Sequence, residues 1–242
     1  MGLFGKTAVI LGGDGKIGAA IARALAEAGT KVMLGGQNPI ATEAIAQHCG
    51  GLWAEVDATH NTAMAAFAYK AADLLGDIDI VVNAALPMSR NLALDQWPEA
   101  EFDQSLLLAI KPIYLAVRHF VPAMTARHSG VILNILAPSA PGAAWADAMR
   151  YWGIGATKAM AQELGPLGIR VNAASLLADA TAALPSFLGG KKNEMRARQL
   201  GAIPLGRFSQ PDDLGQAAVF LCSDAASLIT GVVLDIDGGA GL

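Results

Sequence analysis

Charged side chains are scarce in this sequence, making up 16% of its 242 residues against about 25% in an average soluble domain. The 17 basic residues are scattered and outnumbered by 21 acidic ones, a distribution that argues against nucleic-acid binding. Long apolar runs are lacking as well, since Lys111 interrupts residues 105–117 and Asp179 interrupts residues 171–188. We therefore expect no membrane-spanning helix, which needs about 20 apolar residues.

Cysteine and histidine are few, and their spacing matches no metal site. Cys49 and Cys222 form no CxxC pair and the four histidines form no HExxH pattern, so we expect no metal and no disulfide. Two buried, reduced thiols are typical of a cytoplasmic protein. Residues 1–5 lead directly into a strand-like segment, so we expect no signal or transit peptide.

Apolar residues are abundant instead, at 53% of the chain. Most strand-like runs are continuously apolar rather than alternating, which indicates strands covered on both faces. The low charge content also suggests apolar surface that is hidden in an oligomer. The predicted strands are residues 7–11, 31–34, 52–56, 78–82, 131–136, 169–174 and 232–236.

Helical patterns fill the gaps between these strands, at residues 17–28, 40–48, 62–75, 99–127, 152–164 and 212–222. Repeated βαβ units imply right-handed crossovers and a doubly wound, seven-stranded parallel sheet with helices on both faces. No linker or repeat divides the chain, so residues 1–242 are predicted to form a single α/β domain. Residues 181–192 are irregular and follow the sixth strand, where they could form either a lid over a ligand or an ordinary surface loop.

A glycine-rich turn follows the first strand. Gly13, Gly15 and Gly18 form a GxGxxG pattern between a strand and a helix. Such glycines allow a tight turn, close approach of a pyrophosphate, and close helix–strand packing. The helix N-terminus would then offer N–H groups to the phosphates. The pattern predicts dinucleotide binding, and the alternative is a tight turn without a ligand.

The end of the second strand is expected to select the cofactor. An acid there binds the ribose 2′-OH of NAD, and a base accommodates the 2′-phosphate of NADP. The sequence has Gln37 at this place, with neither an acid nor a base beside it. Lys16 in the glycine turn is the nearby cation. We expect NAD(P), with a slight preference for NADP.

Further short motifs lie at the ends of strands three, four and six and near the C-terminus. They are Asp57, D-I-V-V-N-A-A at 79–85, G-I-R-V-N at 168–172, P-L-G-R-F at 204–208, and T-G followed by D-G-G within 230–239. On these motifs the chain resembles the short-chain dehydrogenases/reductases over essentially its whole length. The resemblance implies a nicotinamide-dependent oxidoreductase that forms homodimers or homotetramers. The implied cofactor-binding residues are Gly12, Gly13, Gly15, Lys16, Ile17, Gly18, Gln37, Asp57, Ala58, Asn83, Ala84, Ala85 and Lys158.

The catalytic residues of that family are matched only in part. The family uses an Asn, a Ser, a Tyr and a Lys, and Lys158 corresponds to the Lys. The other three positions correspond to Ala109, Ala137 and Ile154. Alanine and isoleucine exchange no protons, and general acid–base catalysis contributes about 10²–10⁴-fold to a rate. The resemblance therefore predicts an altered active site.

Two nearby residues could replace the missing groups. Tyr151 lies three residues before Ile154 and could share its helix face. It is seven residues from Lys158, however, about 10.5 Å of helix rise against about 6 Å for the family's YxxxK spacing. A packing or interface tyrosine is the alternative. Ser139 could replace the missing serine or be a turn residue after proline.

Three functions remain open from the sequence. The first is an oxidoreductase of a small alcohol or carbonyl with non-standard proton donors. The second is a binding or assembly subunit that keeps fold and cofactor without redox chemistry, and the third is a lyase or isomerase that uses Lys158. We expect an apolar substrate, because the predicted lining is apolar. Its residues are Leu86, Met88, Ala137, Trp145, Ile154, Leu176 and Leu177.

Overall fold

The computed structural model describes residues 2–86, 94–136, 144–177 and 189–242. Seven parallel strands form one sheet in the order β3-β2-β1-β4-β5-β6-β7. The doubly wound fold predicted from the sequence is therefore confirmed. The strands are β1 (Thr7–Leu11), β2 (Lys31–Gly36), β3 (Leu52–Glu55), β4 (Ile80–Asn83), β5 (Gly130–Leu136), β6 (Ile169–Leu176) and β7 (Val233–Ile236).

Seven α-helices of the described residues cover the sheet. They are α1 (Lys16–Glu27), α2 (Pro39–Cys49), α3 (Asn61–Leu75), α4 (Glu99–Ala126), α5 (Ala144–Leu164), α6 (Gly189–Gly201) and α7 (Pro211–Cys222). The helix α5 begins eight residues before its predicted start, and α6 was not predicted. Several expected features lie outside the described residues: Met88, Ala137, Ser139 and residues 181–188.

The central strands are buried on both faces, as their continuous apolar sequences predict. Ile10 of β1 faces one core layer with Ile21 and Leu25 of α1. Its neighbour Val9 faces the other layer, which contains Phe67 of α3 and Leu115 of α4. This alternation places a helical layer on each side of the sheet.

The helix α1 packs closely on α7 because Gly215 has no side chain at the crossing. A Cβ on Gly215 would lie 3.0 Å from the Ala20 carbonyl oxygen. Arg170 supports the other end of α7, where its guanidinium donates to the carbonyl oxygens of Leu221 and Ser223. These contacts hold α1, whose N-terminus points at the candidate site, firmly against the sheet.

One expectation changes at the level of burial. Cys222 is buried but Cys49 is partly exposed, so the prediction of two buried thiols is wrong for Cys49. Among the described residues, α4 is the one helix long and apolar enough to cross a membrane, with 33% of its most apolar stretch buried. Leu115 and Phe120 of α4 lie in the core, the arrangement of a helix that covers a sheet.

Candidate functional site

A cleft of about 340 Å³ opens at the carboxyl ends of β1, β2 and β4. In doubly wound sheets ligands bind at this edge, where the strand order reverses on either side of β1. The cleft brings together nine of the predicted cofactor-binding residues. Its lining consists of Gly12, Asp14, Gly15, Lys16, Ile17, Gly18, Gly36, Gln37, Val56, Ala58, Ala84, Ala85, Leu86 and Leu108.

The turn after β1 depends on three glycines. Gly12 has a φ of +77°, and a Cβ there would lie 2.6 Å from the Ala84 carbonyl. A Cβ on Gly18 would overlap the Gly12 carbonyl oxygen, and one on Gly13 would lie 2.8 Å from Leu34 Cβ. A Cβ on Gly15 would fit, since its nearest neighbour would be the Gly12 carbonyl oxygen at 3.4 Å. The turn therefore needs Gly12, Gly13 and Gly18, a set that only partly coincides with the GxGxxG pattern.

The N-terminus of α1 faces this cleft. Its N-cap is Gly15, which has no side chain to bond the first N–H groups, and no acid lies in the first turn. Lys16, Ile17 and Gly18 of that turn line the cleft. Free N–H groups at a helix N-terminus bind anions. The geometry therefore fits the pyrophosphate of a dinucleotide.

The end of β2 carries a carboxylate that the sequence analysis missed. Asp14 Oδ2 accepts hydrogen bonds from the backbone N–H groups of Gln37 and Asn38, each at 3.0 Å. The premise that no acid stands at this turn is therefore wrong. No local sequence pattern reveals the contact, because Asp14 comes from the glycine turn of another strand.

Asp57 follows β3 and is held mainly by its own turn. Its carboxylate accepts bonds from the Thr59 backbone N–H at 2.9 Å and the Thr59 hydroxyl at 2.6 Å, and contacts His60 Nδ1 at 2.9 Å. Partial burial acts to raise the pKa of Asp57. The hydrogen bonds from Thr59 and His60 outweigh it, so the pKa lies below its usual value. Asp57 thus remains a charged acceptor next to the cleft-lining Ala58.

Asn83 is the last residue of β4 and lies beneath the cleft, and the oxygen of its side-chain amide has no hydrogen-bond partner. Its Nδ2 donates to Asn134 Oδ1 at 2.8 Å, and Asn134 Nδ2 donates to the Thr157 hydroxyl at 3.0 Å. Asn83 is only 3% exposed, and its Oδ1 has no hydrogen-bond partner. Asn83 therefore ties β4, β5 and α5 together and leaves a buried acceptor at the site.

A small cavity of about 20 Å³ lies next to Asn83, between α4 and α5. Ala109, the position of the family's Asn, lines it together with Pro112 and Arg150. Pro112 has no N–H, so the carbonyl of Leu108 loses its helical partner. Arg150 pairs with Asp235 of β7, and its Nε is buried without a partner. The space is large enough for one water molecule.

Helix α5 carries the predicted catalytic positions. Ile154 is partly buried, while Lys158 one turn later is exposed. Tyr151 is 68% exposed and lines none of the clefts described here. Arg150, four residues before Ile154, contributes to the cavity beside Ala109. Helical geometry therefore directs Arg150 rather than Tyr151 towards the family's Asn position.

A second cleft of about 460 Å³ lies beyond the ends of β6 and β7. Leu176 and Leu177 line it, as predicted, but charged groups line it as well. Trp145 packs edge-to-face on Phe102 with ring centroids 5.1 Å apart. The predicted apolar residues Leu176 and Leu177 therefore form only part of this cleft's wall. The charged residues in this wall are Asp147, Arg150, Asp235 and Asp237.

Comparison with known proteins identifies the family. Residues 14–241 match the sequence model described as enoyl-(acyl carrier protein) reductase. The chain is 34% identical to 4-formylbenzenesulfonate dehydrogenase of Comamonas testosteroni, over 99% of both chains. It is 33% identical to a 3-oxoacyl-[acyl-carrier-protein] reductase of Chlamydia trachomatis, over 98% of both chains. The chain therefore belongs to the short-chain dehydrogenase/reductase family.

A solved structure supports the same assignment at the level of the fold. It is the 3-ketoacyl-(acyl-carrier-protein) reductase of Brucella melitensis, crystallised with NADH. The TM-score is 0.88 at 32% identity, covering 99% of this chain and 100% of that one. The fold and the family are thus established together.

Proposed function

We propose that this chain is a nicotinamide-dependent oxidoreductase of a small alcohol or carbonyl compound. The observation that carries the proposal is the cleft formed by the glycine turn and the α1 N-terminus. A Cβ on Gly12 or Gly18 would overlap neighbouring backbone, so these glycines hold the tight strand–turn–helix geometry that places the α1 N-terminus where a pyrophosphate would bind. The NADH complex of the Brucella melitensis reductase supports the same cofactor class.

Each part of the proposed site has a separate task. The first turn of α1 binds the phosphates, and Asp57 and Ala58 border the adenine side of the cleft. Asn83 and Ala84 form the bottom of the site at the end of β4. Lys158 binds the nicotinamide ribose, as the family resemblance implies. When bound, the cofactor supplies or accepts a hydride, and the protein orients it and excludes water on one side.

The proton for carbonyl reduction needs a source other than the usual tyrosine. Ile154 and Ala109 cannot donate one, and Tyr151 is mostly exposed to solvent. We propose that protons come from solvent water at the open end of the cleft, with slow turnover as a result. A displaced acid at Tyr151 is the testable alternative. Ala137 and Ser139 lie outside the described residues.

A second candidate is a family member that binds the cofactor without redox chemistry. The hydrocarbon side chains at Ala109 and Ile154 favour it, because an alkoxide in the site would lack a donor. A lyase or isomerase that uses the amine of Lys158, which is exposed on α5, is the other non-redox alternative. The substrate of either candidate meets a mixed wall: Leu176 and Leu177 are apolar, whereas Arg150 and Asp147 are not.

We also propose a cytoplasmic homo-oligomer, a tetramer or a dimer. Large apolar side chains are exposed along α4 and α5, and paired helices from a second copy would cover them. Cys49 carries no disulfide, which suits the cytoplasm. The exposed side chains are Leu106, Leu107, Tyr114, Tyr151 and Trp152.

Single-turnover kinetics test the redox proposal. Enzyme saturated with reduced cofactor is mixed with a panel of aldehydes and ketones, and the loss of absorbance at the nicotinamide band is followed. Oxidation of the bound cofactor by at least one carbonyl compound supports the oxidoreductase. Cofactor binding without oxidation by any compound of the panel supports the second candidate.

A further inference from the structure

Asp14 reaches from the glycine turn to the end of β2. Its carboxylate accepts both backbone N–H groups that precede α2, those of Gln37 and Asn38. The strand end leaves room for it, since a Cβ on Gly36 would lie 2.7 Å from Asp14 Cγ. A negative charge is thereby held against the turn between β2 and α2.

This turn is where dinucleotide-binding folds contact the adenosine ribose. With the pyrophosphate at the α1 N-terminus, the ribose hydroxyls reach the residue that directly follows the second strand. That residue is Gln37, and it brings no charge. The carboxylate bonded to the Gln37 backbone belongs to Asp14. An acid is therefore present at this turn, although it does not come from the end of the second strand, where such an acid usually lies.

The same contact removes the donors that a phosphate would use. Backbone N–H groups at the start of a helix are natural phosphate ligands, and those of Gln37 and Asn38 are already bonded to Asp14. A 2′-phosphate would need to displace one carboxylate and would face a second from Asp57. Lys16 is the only cation that lines the described cleft, and its side chain is exposed.

We propose that Asp14 makes this site select NAD(H) over NADP(H), an inference that rests on the proposed function. The carboxylate accepts a hydrogen bond from the ribose 2′-OH and repels a 2′-phosphate. Lys16, exposed and strongly hydrated, does not offset that repulsion. The proposal reverses the NADP preference expected from the sequence, because that expectation assumed a turn without a carboxylate.

Fluorescence titrations with NADH and NADPH test the proposal by binding alone. Wild-type protein should bind NADH at least about tenfold more tightly than NADPH. Asp14→Asn should narrow that ratio about tenfold, mainly by strengthening NADPH binding. The asparagine keeps an acceptor oxygen for the turn. Asp73→Asn removes the same charge from an exposed site on α3 and should leave the ratio unchanged.

Salt dependence in the wild-type protein gives a second readout that needs no variant. Salt screens repulsion, so raising the ionic strength should bring NADPH affinity closer to NADH affinity. Preference for NADPH, an unchanged ratio in folded Asp14→Asn, or a ratio that moves the other way with salt would overturn the proposal. Binding of neither cofactor would instead refute the proposed function and this inference with it.

Discussion

At Gly18 the backbone of α1 touches the turn that follows β1, and no side chain fits between them. Gly18→Ala should lower the free energy of unfolding by about 1–3 kcal/mol, because helix and strand must separate. It should also weaken NADH binding at least tenfold. Gly155→Ala in α5 is the matched control, since a Cβ there has no neighbour within 4 Å.

In the control variant the free energy of unfolding should rise by about 0.5–1 kcal/mol, because alanine favours a helix more than glycine does. NADH binding should be unchanged. Urea denaturation and fluorescence titration measure the two effects. If both alanine variants had the same free energy of unfolding and the same NADH affinity, the close approach at Gly18 would not be what holds the cleft together.

Asp14 shows why some site residues escape sequence reasoning. Gly12 and Gly18 are readable because a strand, a turn and a helix lie in one continuous segment. The bond from Asp14 to Gln37 joins two turns that only the parallel pairing of β1 and β2 brings together. A local pattern carries no trace of such a contact, so the sequence alone predicts no acid at the end of β2.

At the scale of elements, α5 offers a direct test of the proton source. Tyr151→Phe should leave turnover unchanged within about twofold, because Tyr151 lines none of the described clefts. Ile154→Tyr, which places a hydroxyl one turn before Lys158, should raise carbonyl reduction modestly. Steady-state rates with saturating cofactor measure both.

A fall of about 10²–10⁴-fold in Tyr151→Phe, with cofactor affinity intact, would show that Tyr151 is the acid after all. A strong rise in the rate of carbonyl reduction in Ile154→Tyr would show that the tyrosine hydroxyl is the main group that this site lacks relative to its family.

The start of α7 carries a paired carboxylate with a strongly lowered pKa. Hydrogen bonds from Arg207 to both oxygens of Asp213, at 2.6 and 2.8 Å, and from the Gln210 backbone N–H lower its pKa to about 2. A carboxyl with a folded-state pKa below its unfolded value near 4 stabilises the fold above pH 4. That stabilisation disappears as the pH falls through 2.

Asp213→Asn should therefore reduce the free energy of unfolding at pH 7, and its difference from the wild type should shrink between pH 4 and pH 2. Urea denaturation followed by circular dichroism at pH 7, 4 and 2.5 measures this difference. A difference that stays constant over the three pH values would contradict the ion-pair account.

Helices and strands could be predicted where burial imposes an apolar pattern on the sequence, and could not be predicted where it imposes none. The central strands β1, β4, β5 and β6 were found because buried parallel strands are continuously apolar. The helix α6 was missed because its sequence is rich in charged residues and has few apolar ones. The early part of α5 carries Trp145, which packs on Phe102 of α4, and a contact between helices distant in sequence leaves no local pattern.

At the scale of the whole molecule, the low charge content and the exposed apolar side chains of α4 and α5 have one explanation. We expect a dimer or tetramer at micromolar concentration by light scattering. Tyr114 is 52% exposed on α4, and Tyr114→Lys should weaken the assembly by placing a charge in the interface. Tyr69→Lys on α3, where the side chain is 77% exposed, should not. A 24.9 kDa monomer in the wild type would contradict this expectation.

The central claim is that the chain holds a nicotinamide dinucleotide in the cleft between the glycine turn and the end of β2. Isothermal titration calorimetry of the wild-type protein with NADH tests it most directly, since it requires no substrate and no catalysis. The account predicts one NADH bound per chain with a dissociation constant in the micromolar range. The absence of saturable binding at millimolar NADH, with the protein shown to be folded, would contradict it.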